Sequence, residues 1–553
     1  MSEIKRICKL TGEEFVITDE DQAFYKRIHV PPPTFSPSAR RLRRLAFRNE
    51  RSLYQRKCTL TGENMLSNFS PDKTYKVYKH EEWWKDSMDP MEYGRDYDFN
   101  RPFFEQYDEL LHEVPFINLM IVDCENSDYT NYSWYNKNCY LLFDAGKNEN
   151  LLYCDTMYFD KFCTDCFHCP KECELCYECL DCEICYNCNF AVQCHSSSDL
   201  NFCFDCNGCQ NCSMCFNLRN KKYCFKNKQY SKEEYEELLR SLNIGSSENF
   251  TKLKKEFWNW KTKEAIHHYS ASLNIENCSG AFIINCKNCH DCFDIGHSED
   301  CKYLFDCGDP GGKNFQDDDR SGWDAELCYE TLGNATPYNS KFVVSCGYAK
   351  ETEYSMYCQN PMNCFGCVGL KKGQYCILNK QYTKEAYEEI LPRIIEHMKS
   401  SGEYGEFFPM SISPFCYNET LAYDYFPLTK EQVIGFGLKW KDPNKKEYIP
   451  STYKIPDNIK DVDDGILKEV LACEKSGKNY KIQKQELEFY RKKNLPIPRL
   501  CPEERYKNRI AIRPPYKLWD RQCSKTGKPI KSCFSPDRPE KVYSEEAYLE
   551  AIY

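Results

Sequence analysis

The sequence predicts a mainly β protein with minor α. A central cysteine-rich, β-solenoid-like region in two tandem halves is flanked by duplicated small modules that look like degenerate zinc ribbons. Three observations predict this. Residues 8–84 reappear without insertion as residues 473–549, at an offset of 465. Residues 206–230 reappear as residues 358–382, at an offset of 152. Between the outer copies, cysteine recurs at every third residue over long stretches.

The totals bound the class. A chain of 553 residues spans several domains, and a net charge of −10 argues against whole-protein binding to nucleic acid. The start, MSEIKRICKLTGEEF, lacks the apolar core of a signal peptide, and no apolar run reaches membrane-spanning length. A cytoplasmic location is therefore expected, with its 38 cysteines reduced. Thiols there serve as metal ligands, catalytic groups or small buried apolar residues.

Residues 1–90 form the first terminal module pair. Cys-x-x-Thr-Gly occurs at Cys8 and Cys58, and again at Cys523, while Cys473 begins Cys-x-x-Ser-Gly. Gly12, Gly62, Gly477 and Gly527 look like the glycines of a zinc knuckle, needed for a turn that only glycine enters cheaply. The second thiol of each knuckle is missing, and an un-ionised hydroxyl cannot replace thiolate on zinc.

Residues 100–245 and 270–400 are the two cysteine-rich halves, each ending in a helix. Ser231 with Glu234 makes a capping box for the first helix; Thr383 caps the second, where Ala386 removes the reciprocal partner. Cys163, Cys166 and Cys169 step by three, as do Cys173 through Cys188 and Cys203 through Cys215. A longer step of 15 links Cys139, Cys154 and Cys169. Cys, Asn, Asp and aromatic residues suit a helix poorly, whereas a short-coil solenoid places one small residue inward over the same residue of the turn below. Asp165, Asp181, Asn187, Asp205, Asn207 and Asn211 would supply its corners. In the second half Asp317, Asp318 and Asp319 read as a loop interrupting the pattern.

Two roles compete for the ladder. Cys163, Cys166, Cys169, Cys203, Cys206, Cys209 and Cys212 are candidate metal ligands by their Cys-x-x-Cys spacing, and zinc is the metal it would suit. Packing is the expected role. The second half replaces Cys203 by Ser355 and Cys209 by Pro361 yet keeps the same ending, which a metal cluster would not tolerate.

Residues 401–465 read as an irregular connector and 466–553 as the second terminal module. Each module carries a basic stretch: Arg40, Arg44, Arg48 and Arg51 in one, Arg505, Arg509 and Arg513 in the other. These are candidate nucleic-acid contacts through phosphates. The alternative is a solvated face, or pairing with the acidic central region.

The strings NLRNKKYCFKNKQYSKEEY, ELEFYRKKNLPIPRLCPEERYKNR and SPDRPEKVYSEEAY carry a resemblance over nearly the whole chain. The chain resembles an uncharacterised cysteine-rich protein family of candidate-phyla (Parcubacteria-type) bacteria, a likeness that brings no activity with it. The resemblance implies a four-ligand set at Cys473, Ser476, Cys501 and Glu504, and another at Cys523, Thr526, Ser544 and Ala547. Neither keeps four thiols; only Cys473 and Cys501, with Glu504, could still hold an ion.

No phosphate loop, nucleophile elbow or metalloprotease helix is present. The expected function is non-enzymatic binding or scaffolding of a macromolecule, protein or RNA, with no membrane, no small-molecule substrate and no required cofactor. A zinc protein contacting RNA or the ribosome through its ribbons is the alternative, and a carbohydrate-active solenoid the second alternative.

Overall fold

The structure is a computed structural model and describes residues 3–170, 189–307, 311–322, 325–442 and 448–553. Cys173 to Cys188, Asp181 and Asn187 lie outside the described residues, as does the side chain of Cys169. The fold is mixed, with 29% strand and 26% helix. Among the described residues no helix is long and apolar enough to cross a membrane.

The chain divides into two compact units, each built from segments far apart in sequence. One holds residues 1–119 and 270–442; the other holds 120–269 and 443–553. The first terminal module thus shares a unit with the second cysteine-rich half, and the last module with the first half.

The two terminal modules repeat element for element at the offset of 465. Hairpin Tyr54–Lys57/Asn64–Ser67 matches Trp519–Gln522/Pro529–Ser532, and helices Asp19–Arg27 and Pro37–Leu45 match Lys484–Lys493 and Pro502–Ile510. Between the paired segments of each module the glycines turn through the left-handed region, with φ of 74° at Gly12 and Gly62, 71° at Gly477 and 70° at Gly527. Each of these glycines donates its N–H to the carbonyl of its knuckle cysteine at 2.9 Å.

Among the described residues each cysteine-rich half is laddered: apart from the closing antiparallel strand, neighbouring strands pair in parallel. In the first half they form two five-stranded sheets either side of residues 171–188. Asn131–Trp134, Phe143–Gly146 and Asp155–Tyr158 pair with a register of twelve residues, as in Asn131↔Phe143↔Asp155. Twelve, and not the fifteen of the cysteine spacing, is the repeat. Both are multiples of three, and every third residue faces the same way. Bridges at Glu125↔Lys137↔Glu149↔Lys161 and Asp128↔Tyr140↔Leu152↔Thr164 carry the same register along the remaining sides. Left-handed residues mark the corners, one in three: Asp123, Asn126, Tyr129, Tyr132 and Tyr135 begin the series. Asp165, Asp205 and Asn211 occupy such corners, whereas Asn207 does not. Many corners are tyrosine or phenylalanine, for which this conformation costs roughly 1–2 kcal/mol each. The ladder bonds on either side of each corner offset that cost.

Both ladders end alike. Lys228–Gln229 and Lys380–Gln381 turn back antiparallel, and a helix follows, Lys232–Leu242 or Lys384–Ser400. The Ser231–Glu234 capping box forms, and Thr383 caps alone. The acidic triplet is no loop: strand Gln316–Asp319 lies inside the second ladder with all four residues buried. The register there widens to fourteen (Lys302↔Gln316) and then thirteen (Gln316↔Tyr329), which admits the extra residues. The connector, expected to be irregular, contains the short helices Leu421–Tyr425 and Lys430–Gly435.

Candidate functional site

The ladder thiols follow left-handed corners and point inward. Cys163, Cys166, Cys203, Cys206, Cys209 and Cys212 are all buried. Each Sγ lies 3.3–3.7 Å from the carbonyl two residues earlier, as Cys163 does with Lys161 and Cys206 with Phe204. A sulfur can also accept the N–H one repeat later: Cys166 N–H reaches Cys154 Sγ, and Cys206 N–H reaches Cys194 Sγ, both at 3.4 Å. Where the inward residue is not cysteine, Ser197, Ser355 and Asn334 accept the corresponding N–H of Cys209, Cys367 and Cys346 at 2.8–3.1 Å. At these inward places the side chain is small and hydrogen-bonds, while Leu142, Ala145 and Leu151 fill others by packing alone. Cysteine hydrogen-bonds there with the least cost of burial. Burial pushes the Cys139 and Cys328 thiols up to about 12, so these two stay protonated at neutral pH.

The terminal knuckles hold their remaining cysteines differently. Ser544 N–H donates to Cys523 Sγ at 3.3 Å, and Lys79 N–H to Cys58 Sγ at 3.4 Å. Burial opposes ionisation of Cys523. The Thr526 hydroxyl and the N–H groups of Ser544, Thr526 and Lys525 outweigh it and bring the thiol down to about 6. Cys473 comes down to about 7 against burial, through Ser476 and the N–H of Cys501. Ser544 and Cys501 are the N-caps of helices Glu545–Ile552 and Pro502–Ile510, so each thiolate sits at a helix N-terminus. The hydroxyls three residues after each knuckle cysteine, Thr11, Thr61, Ser476 and Thr526, hydrogen-bond to its thiol. Sequence reasoning counted Thr11, Thr61, Ser476 and Thr526 only as losses. Their restriction to Thr or Ser in all four copies was the signal.

Zinc does not fit the set Cys473, Cys501, Glu504. Ser476 takes the place of a third thiol and lies 3.7 Å from Cys501 Sγ. Glu504 is already paired with Lys475 at 2.8 Å and Lys507 at 3.2 Å. Among the described residues no three His, Cys, Asp or Glu side chains converge to hold a metal ion.

The arginines do not make a basic face. Arg40 binds Asp317 with two parallel bonds, Nε–Oδ1 at 2.9 Å and Nη2–Oδ2 at 2.7 Å. Arg44 Nε donates to Asp319 at 2.9 Å, and Arg48 to Glu50. Arg41 and Arg43, which lie off the expected face, are also buried, on Asp319 and Glu330. In the other unit Arg505 and Arg509 converge on Asp165 at 2.5 and 2.7 Å, and Arg505 also reaches Glu486. Arg513 donates to the Tyr516 hydroxyl at 2.6 Å, and Arg51 is half-buried. A phosphate backbone meets none of the buried guanidiniums Arg40, Arg44, Arg48, Arg505 and Arg509.

A different surface is open. In the first ladder, Tyr135 and Phe159 stand two repeats apart on one corner column, about half exposed. Lys147 occupies the corner between them, its Nζ 5.0 Å from the Phe159 ring centre. In the next column Trp134 and Tyr158 approach to 5.4 Å across Gly146. A Cβ on Gly146 would lie 2.1 Å from the Trp134 ring, so glycine is what lets the indole lie flat there. Four aromatic rings thus stand in two adjacent columns of the parallel ladder. No family model, no curated protein and no solved structure matches the chain.

Proposed function

We propose that this is a non-enzymatic binding or scaffold protein. Its two ladders are short-coil β-solenoids, and its terminal modules are zinc-ribbon-like shapes in which hydroxyl and amide donors have replaced the metal. The partner is a macromolecule that docks on the aromatic columns of the first ladder. The observation that carries this reading is the Trp134–Tyr158 pair laid over Gly146 beside exposed Tyr135 and Phe159. Clustered aromatic rings on a pre-organised surface supply contact area with little entropy to lose. Thiols that donate as S–H to carbonyls suit a reducing compartment, which supports a cytoplasmic location.

Photo-crosslinking amino acids placed at positions 135 and 159 test this surface in extracts of the source cells. The same macromolecule should be captured at both positions and lost when Trp134 becomes Ala. Capture of nothing at either position would overturn the reading.

A further inference from the structure

One thiol lies outside the ladders and knuckles and faces an amine. Lys73, in the first terminal module, places Nζ 2.9 Å from Cys416 Sγ, in the connector of the same unit. Both are nearly enclosed. Glu419 completes the cluster: its carboxylate lies 3.3 Å from Lys73 Nζ and accepts the Cys416 N–H at 2.7 Å. The Tyr54 hydroxyl donates to the other Glu419 oxygen at 2.7 Å. Lys439 stands nearby, held on the Ser413 carbonyl at 3.2 Å. A thiol, an amine and a carboxylate are therefore locked together by residues that fix each other's positions.

We propose that Lys73 and Cys416 form an oxidation site, where peroxide joins Nζ to Sγ through one oxygen in a covalent N–O–S bridge. A first peroxide converts the thiol to sulfenic acid: the S–H and O–O bonds break, an S–O bond forms and one water leaves. Glu419 takes the ammonium proton so that the amine can react. A second peroxide takes up two electrons as the N–O bond forms from the N–H and the sulfenic O–H, and leaves as two waters. Sulfur and nitrogen each give up two electrons, and each peroxide accepts two. The bridge ties the terminal module to the connector. The position equivalent to Lys73 in the other module is Arg538, which cannot form such a bridge.

The test is peroxide treatment of the whole chain, digestion without reductant and mass spectrometry. The Lys73 and Cys416 peptides should appear joined, heavier by one oxygen and lighter by two hydrogens than their sum, and dithiothreitol should separate them. Lys73→Arg keeps the cation beside Glu419; in it Cys416 should be trapped by dimedone as sulfenic acid with no cross-link. Cys416→Ser, which keeps a hydrogen-bonding group, should likewise give no joined peptide. Wild-type Cys416 found unmodified, or oxidised without a partner, would overturn the proposal, as would a bridge to Lys439.

Discussion

Arg505 meets Asp165 as Arg40 meets Asp317: the two arginines are 465 residues apart in sequence, and the two aspartates are 152 apart. These are the offsets of the two internal repeats. One contact between a terminal module and a cysteine-rich ladder therefore occurs twice, once inside each unit. Each pair is shut off from solvent, so its charges balance only while both partners are present.

Removing one partner should be costly. Asp165→Asn strands Arg509 and leaves Arg505 only Glu486, and a loss of about 3–5 kcal/mol is expected, read by urea unfolding. Arg509→Met should cost less, because Arg505 still balances Asp165. Equal effects of the two substitutions would show that Asp165 is not the shared centre of this contact.

The ladder thiols act as hydrogen-bonding groups, so their replacement should rank by chemistry. Cys154 Sγ accepts from Cys166 N–H and lies 3.2 Å from the Leu152 carbonyl. Cys154→Ser keeps both roles and should be nearly neutral. Cys154→Ala strands the N–H and opens space, a loss of about 1–3 kcal/mol in denaturant titration. Serine behaving no better than alanine would contradict the hydrogen-bond account.

Much of this was legible in the sequence, because it repeats. The offsets, the knuckle glycines, the Ser231 cap and the inward cysteines all follow from local spacing. The twelve-residue register did not. Cys139 and Cys154 are fifteen apart because Leu142, Ala145, Asn148 and Leu151 fill the inward places between them. Nor did the pairing of module with ladder, since nothing local to Arg40 encodes Asp317. The acidic triplet misled for the same reason: charges that look solvated alone are buried once their arginines arrive from elsewhere in the chain.

Asp318 differs from its neighbours, because it faces inward, away from the arginines that Asp317 and Asp319 bind. Burial pushes its carboxyl up to about 6, although Ser321 and Thr331 donate to it. Ionising it opposes folding. The protein should thus lose stability as pH rises from about 4, where the unfolded carboxyl titrates, through about 6. Asp318→Asn should remove this loss and raise the midpoint of thermal unfolding at pH 7, with little change at pH 4. A variant that melts lower at pH 7 would refute it.

Cys523 shifts the opposite way. Its folded value of about 6 lies below that of a free thiol, so folding favours the thiolate. The stability it contributes is complete above about pH 9 and is lost as pH falls through about 6. Thr526→Val removes the hydroxyl donor and should flatten the pH dependence between those limits. The thiolate absorbance at 240 nm gives the readout as a difference between wild type and Cys523→Ser, because other thiols, Cys206 among them, are also shifted downward. Its rise near pH 6 should move upward in Thr526→Val and disappear in Cys523→Ser. A rise unchanged in Cys523→Ser would assign the low-pH thiolate to another cysteine, such as Cys473, brought down to about 7, or Cys206.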